Sequence, residues 1–204
     1  MTWPTALPLV AILRGITPPE ALAHARVLLE AGFDTIEVPT NSPGWADSVR
    51  AIVQLAPQAL VGAGTVLTAQ DLDALQAAGG RLAVSPHVDV ALVADSVARG
   101  LIALPGAMTP SEVFAAHRAG AAAVKVFPAA TLGPGHVKAM RAVLPPGLPL
   151  LAVGGVSPAN LADYLRAGCA GAGLGSELYR PGQPPETTAT QAAAFVAAYR
   201  AFER

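Results

Sequence analysis

A chain of 204 residues with a formal net charge of −1 and only 13 Lys and Arg residues presents no basic cluster suited to nucleic acid. Its length suits one domain with a substantial core. Hydrophobic residues reach 52% and mean hydropathy is +0.46, yet Gly, Pro or charge breaks every apolar run short of the roughly 20 residues that span a membrane.

In chain order, MTWPTALPLVAILRG opens without a basic leader or cleavage signature, so no signal peptide is expected. Within it LPLVAIL (7–13) is a first strand running into Arg14-Gly15, followed by a helix over TPPEALAHARVLLEAG. FDTIEV (33–38) is a second strand and holds Glu37 ahead of Pro39. ALVGAG (59–64) is a third, ending at Thr65 before the helix TAQDLDALQAAGG. RLAV (81–84) runs into Ser85-Pro86-His87, and LIALPG (101–106) precedes the helix TPSEVFAAHRAG. The sixth strand, AVKVF (123–127), carries Lys125. LPLLAVGG (148–155) ends in Gly154-Gly155 before SPANLADYLRAG, and GAGLG (171–175) ends before Ser176. ETTATQAAAFVAAYRAFER reads as a C-terminal amphipathic helix on the outside.

The quoted internal helices open on a Ser or Thr cap, carry an acid in or near the first turn and close on Gly. Three share T/S-P-x-(E/N) in front and AG behind, the echo of one structural unit. Eight strands alternating with helices and no linker predict a single (β/α)8 TIM barrel over residues 1–204, with a doubly wound open sheet as the alternative. Cys169, the single cysteine, allows no internal disulfide and no thiolate metal cage; it reads as a small buried residue in a reducing compartment.

In such barrels chemistry gathers where strands end. Ile36 and Val38 flank Glu37, and Val124 and Val126 flank Lys125, so if the apolar neighbours face the helices both charges enter the barrel. A buried Lys or Glu alone is costly. The pair is either an ion pair that fixes packing or the working part of the site. Burial favours a neutral amine able to form a Schiff base with a ketone, and a nearby carboxyl can move protons. Gly154-Gly155 and Gly175-Ser176 stand where backbone N–H groups form this fold's common phosphate site. His24 and His117 fall mid-helix as surface or packing residues, His136 follows a GPG turn, and His87 sits at a strand end. No pair has metal-ligand spacing, so no metal or cofactor is expected. Trp45 is read as lining the cavity or capping the barrel.

PLVAILRGIT, EVPTNSPGW, VGAGTVLT, AVKVFPA, AVGGVSPANL and GAGLGSELYRPGQ, in order over essentially the whole chain, resemble the 2-keto-3-deoxy-6-phosphogluconate and phosphogalactonate aldolases. Gluconate-type members carry Arg-Thr-Pro after the Glu strand. Here Asn41-Ser42-Pro43 stands there, followed by Gly44-Trp45, which resembles the phosphogalactonate type. The resemblance implies a metal-free class I aldolase acting on a phosphorylated 2-oxo sugar acid, cytoplasmic and homotrimeric. It implies a Schiff-base role for Lys125 and an acid/base role for Glu37. It places Arg14 and Thr65 at the pyruvyl carboxylate end, and Gly154, Gly155, Gly175 and Ser176 at the phosphate, with Arg14 replacing the charge missing at Asn41. Rival readings are a 4-hydroxy-2-oxoglutarate aldolase, a phosphate-binding epimerase or synthase barrel, and a sugar-phosphate sensor.

Overall fold

The structure, a computed structural model, describes residues 3–202; the first two residues of the opening stretch and the last two of the expected C-terminal helix lie outside them. In chain order the elements are β1 (Leu9–Ile12), α1 (Pro18–Glu30), β2 (Thr35–Pro39), α2 (Trp45–Leu55), β3 (Leu60–Gly64) and α3 (Ala69–Ala77). Then come β4 (Leu82–Val84), α4 (Val90–Ala98), β5 (Ile102–Leu104), β6 (Gly106–Ala107), α5 (Pro110–Arg118) and β7 (Val124–Val126). The chain finishes with α6 (Ala129–Arg141), β8 (Leu150–Val153), α7 (Leu161–Arg166), β9 (Gly171–Leu174) and α8 (Pro185–Phe202).

All strand pairings are parallel, in the order β5-β4-β3-β2-β1-β9-β8-β7-β6. The two ends of that list are consecutive in sequence. The expected fifth strand is divided at Pro105, which has no N–H to give to the ladder. Its carbonyl still accepts from Lys125 N at 2.9 Å, and Gly106 N donates to Ser85 O at 3.0 Å, so the ring closes across the break. The result is an eight-position barrel rather than an open sheet, and the expected sixth, seventh and eighth strands are β7, β8 and β9.

Local signals set most helix limits. Thr68 Oγ1 accepts from Asp71 N at 3.2 Å while Asp71 Oδ2 accepts from Thr68 N at 3.0 Å. Thr109 and Glu112 exchange the same two bonds at 3.3 and 2.8 Å. Gly32, Gly79, Gly120 and Gly168, just past four helix ends, have φ of +100°, +81°, +95° and +108°, which a Cβ would oppose. One expectation fails. Ser157 does not start α7; Asn160 does, because residues 158–160 form a turn in which Asn160 Oδ1 accepts from Ser157 N at 2.8 Å.

Strand alternation divides the core into two layers. Ile36, Val38, Val124 and Val126 pack outward with Leu28, Ile52, Leu75 and Phe195 from the helices. Val10, Ile12, Leu60, Leu82, Val84, Leu104, Leu151 and Val153 fill the barrel interior with Trp3. Leu82, fully buried there, is expected to cost about 2–5 kcal/mol when changed to Ala. Urea unfolding checks this through a lower midpoint at unchanged slope.

Outside, α8 lies against α1 and α7. His24, a packing residue, is buried with Nδ1 2.8 Å from Thr188 Oγ1 on α8 and its ring edge-on to Tyr179 at 4.9 Å. Burial holds its pKa below the ordinary value. No helix among the described residues is long and apolar enough to cross a membrane.

Candidate active site

The outward packing of Ile36, Val38, Val124 and Val126 leaves Glu37 and Lys125 facing inward. Their strands, β2 and β7, stand four positions apart either way round the ring. The two side chains therefore reach into the throat from opposite walls. Glu37 is 2% exposed and Lys125 7%.

No hydrogen bond or ion pair joins them among the described residues, and Glu37 Oε2 is buried without a partner. That argues against a pair that merely fixes packing, which needs direct contact to offset desolvation. Burial pushes the Glu37 carboxyl up to about 7, with Lys125 and Arg14 pulling it back. Burial also holds the Lys125 amine below its ordinary value; the Glu37 charge opposes this and Arg14 reinforces it. Lys125 Nζ lies 4.9 Å from the centre of the Phe127 ring, within cation–π range.

Where β1, β7, β8 and β9 end opens a cavity of about 130 Å³, whose lining includes Phe127, two residues past Lys125, but neither Lys125 nor Glu37. Arg14, Gly154, Gly155, Gly175 and Ser176 all line it, and Ile12, Phe127 and Val153 form its apolar wall. Gly154 and Gly155 take φ of +95° and +73°, and a Cβ on Gly155 would stand 2.5 Å from that of Ala130. Asn160 Nδ2 donates to Gly155 O at 3.0 Å and fixes this loop. After β9 the chain makes one turn, with Leu178 N and Tyr179 N donating to Gly175 O at 2.8 and 2.9 Å. Short turns, not a long helix N-terminus, therefore present the backbone here.

Arg14 Nη1 donates to Asn41 Oδ1 at 2.9 Å, so the guanidinium lies against the loop that follows the Glu37 strand. Thr65 stands outside the cavity lining. It takes φ of +55°, costly for a β-branched residue, and its carbonyl accepts from Thr40 Oγ1 at 2.7 Å. Trp45 packs on the outer core rather than the cavity. His87 is exposed, His117 is half-buried, and His136 Nε2 meets Met108 O at 2.6 Å. Among the described residues no three His, Cys, Asp or Glu side chains cluster as a metal site. Cys169 is buried, and burial pushes its thiol up to about 12.

Sequence reasoning missed Phe127, Glu177 and Asn160. Phe127 was within reach, because it lies two residues past Lys125 and so shares its inward face. Glu177 lines the cavity 3.6 Å from Arg180, a placement no local pattern announces.

The model of the KDPG and KHG aldolase family matches residues 4–187. The 2-dehydro-3-deoxy-6-phosphogalactonate aldolase of Escherichia coli K12 is 53% identical over 201 residues, 98% of each chain. A solved structure described as native KDPGal superposes with a TM-score of 0.98 at 52% identity, covering 100% of this chain and 99% of that one. The KDPG aldolase of Legionella pneumophila, captured with pyruvate as a covalent carbinolamine, superposes with a TM-score of 0.83 at 26% identity, covering 94% of each. A barrel with this throat, matched over nearly its whole length, belongs to the KDPG and KHG aldolase family, a family of carbon–carbon lyases.

Proposed function

We propose that this chain is a class I aldolase that cleaves 2-dehydro-3-deoxy-6-phosphogalactonate to pyruvate and D-glyceraldehyde 3-phosphate. The observation that carries the reading is the pair of buried groups, Lys125 and Glu37, opposed across the throat without a bond between them, with a cavity lined by Arg14 and the two glycine turns where β1, β8 and β9 end. The galactonate assignment follows the 53% identical relative and the Asn41-Ser42-Pro43-Gly44-Trp45 stretch. The covalent pyruvate of the Legionella relative supports the Schiff base.

The neutral Lys125 amine adds to the substrate's 2-oxo carbon, and the carbonyl oxygen takes a proton to give a carbinolamine. Glu37, protonated, gives its proton to the departing hydroxyl, and water leaves as the iminium forms. The electron pair of the bond between carbons three and four then flows into the iminium, while the Glu37 carboxylate takes the proton of the carbon-four hydroxyl. An aldehyde departs and an enamine remains. Glu37 returns the proton to carbon three, water adds back, and pyruvate leaves the free amine. One group serves as acid and base in turn, which a pKa of about 7 suits.

The turns after β8 and β9 hold the phosphate by backbone N–H groups and Ser176, far from the reacting bond, so binding there orients the chain. Arg14 and Thr65 serve the carboxylate end. Ser176→Asp sets a carboxylate against that phosphate. It is expected to raise KM for the phosphorylated substrate at least about tenfold, as a like charge in a cleft costs several kcal/mol. Borohydride trapping of pyruvate is expected to stay unchanged.

Pyruvate release coupled to lactate dehydrogenase tests the whole reading. The galactonate epimer is expected to turn over faster than the gluconate epimer, and both faster than unphosphorylated 4-hydroxy-2-oxoglutarate. Equal turnover without phosphate makes the chain a 4-hydroxy-2-oxoglutarate aldolase, and no pyruvate from any of them ends the proposal. The same reading makes the protein a cytoplasmic homotrimer. Light scattering is expected to give the mass of three 20.5 kDa chains.

A further inference from the structure

An eight-stranded ring is just wide enough for side chains to fill, so a carboxyl group in its throat needs space made for it. That space is on the neighbouring strand. Gly64 ends β3 in register with Pro39 of β2, on the same inward face as Gly62. A Cβ built on Gly64 would stand 2.1 Å from Glu37 Oε2, 2.6 Å from its Cδ and 2.7 Å from its Oε1. All three nearest atoms thus belong to one carboxyl group.

Other inward glycines differ. A Cβ on Gly62 would meet Leu82 O at 1.9 Å, and one on Gly171 would meet Pro8 O at 1.7 Å, so the sheet itself requires glycine there. Gly64 is in extended strand backbone outside the left-handed region, so alanine meets no conformational objection. What it would displace first is the end of a flexible side chain.

We propose that Gly64 is a positioning residue whose missing side chain forms the berth that holds the Glu37 carboxyl in the throat opposite Lys125. This rests on the acid/base role given to Glu37 above. The oxygen nearest the berth, Oε2, is the one buried without a partner, so the berth also keeps that oxygen from water. A methyl group there forces the carboxyl to rotate out of line.

Gly64→Ala tests the berth. Its kcat is expected to fall on the order of 100-fold, the cost of a misplacement of about 1 Å, with the melting temperature changed by only a few degrees. The acid limb of the kcat–pH profile is expected to move down as the carboxyl leaves its dry position. Glu37→Asp withdraws the carboxyl by one methylene and so makes room for the methyl. The G64A/E37D double variant should therefore exceed the product of the two single effects by about tenfold or more, a coupling of contacting residues.

A glycine needed only for folding would give multiplicative losses and an unmoved pH limb, and either result overturns the proposal. So does a G64A chain with wild-type kcat. If G64A does not fold, the double variant decides: a folded one supports the berth, and an unfolded one overturns it. Failure of the underlying reading looks different. A fully active Glu37→Gln removes the role of Glu37 itself, whereas an inactive Glu37→Gln beside a wild-type-like G64A removes only the berth.

Discussion

Lys125→Met is expected to abolish covalent capture of pyruvate and to lower kcat/KM on the order of 10⁴-fold or more, as removal of a covalent nucleophile does. No second amine can take over, because the other lysine, Lys138, lies exposed on α6. The barrel is nevertheless expected to fold at least as well. Lys125 is 7% exposed, and the Phe127 ring beside it and the apolar side chains that fill the barrel interior make an environment suited to a thioether of similar length. Burial works against the ammonium in the folded state, so the native chain bears a cost below the amine's ordinary pKa that Met does not. Mass spectrometry of peptides after borohydride reduction with pyruvate, beside a thermal melt, checks both halves. A retained adduct, or one on Lys138, defeats the assignment.

Glu37→Gln separates catalysis from stability in the same way, with a pH signature. Loss of the proton shuttle is expected to lower kcat by about 10²–10⁴-fold and to erase an acid limb centred near 7. In the folded chain the carboxyl holds its proton up to about pH 7, whereas its ordinary value is 4.5. Its contribution to stability is therefore complete below 4.5 and is lost as the pH rises through 7. Glutamine imitates the protonated acid at every pH. The variant should match the wild type below 4.5 and gain up to about 3 kcal/mol above 7, the free-energy equivalent of that shift. Urea titrations at pH 4.5 and pH 8 read the difference. A variant less stable than wild type at pH 8 shows that the carboxylate is held by favourable contacts and sinks this account of its pKa.

Much of this was legible in the residues. The alternation around Glu37 and Lys125 specifies which face of a strand each takes, because successive Cβ atoms point to opposite sides. Thr68 with Asp71, and Thr109 with Glu112, announce helix starts because the bonds they make span only three residues. Short-range physics fails first where chain segments compete. SPAN looks like a helix start, yet Asn160 spends its side chain on Ser157 N and Gly155 O and delays the helix to Leu161. Pro105 splits a strand whose apolar run looked continuous.

By itself, then, the sequence determined the alternation of strands and helices, the inward direction of the two ionisable groups and the glycines at the strand ends, all of which depend on neighbours within a few residues. That β2 and β7 face each other across a closed ring, and that Arg14 rests on Asn41, comes from the assembled barrel. So does the space that Gly64 leaves to a carboxyl from the adjacent strand. Those facts depend on the strand order and register of residues distant in the chain, and on how completely side chains from all the strands fill one small interior. The shift of Glu37 to about 7 belongs to the same class, since dehydration is a property of the filled throat rather than of any local run of residues.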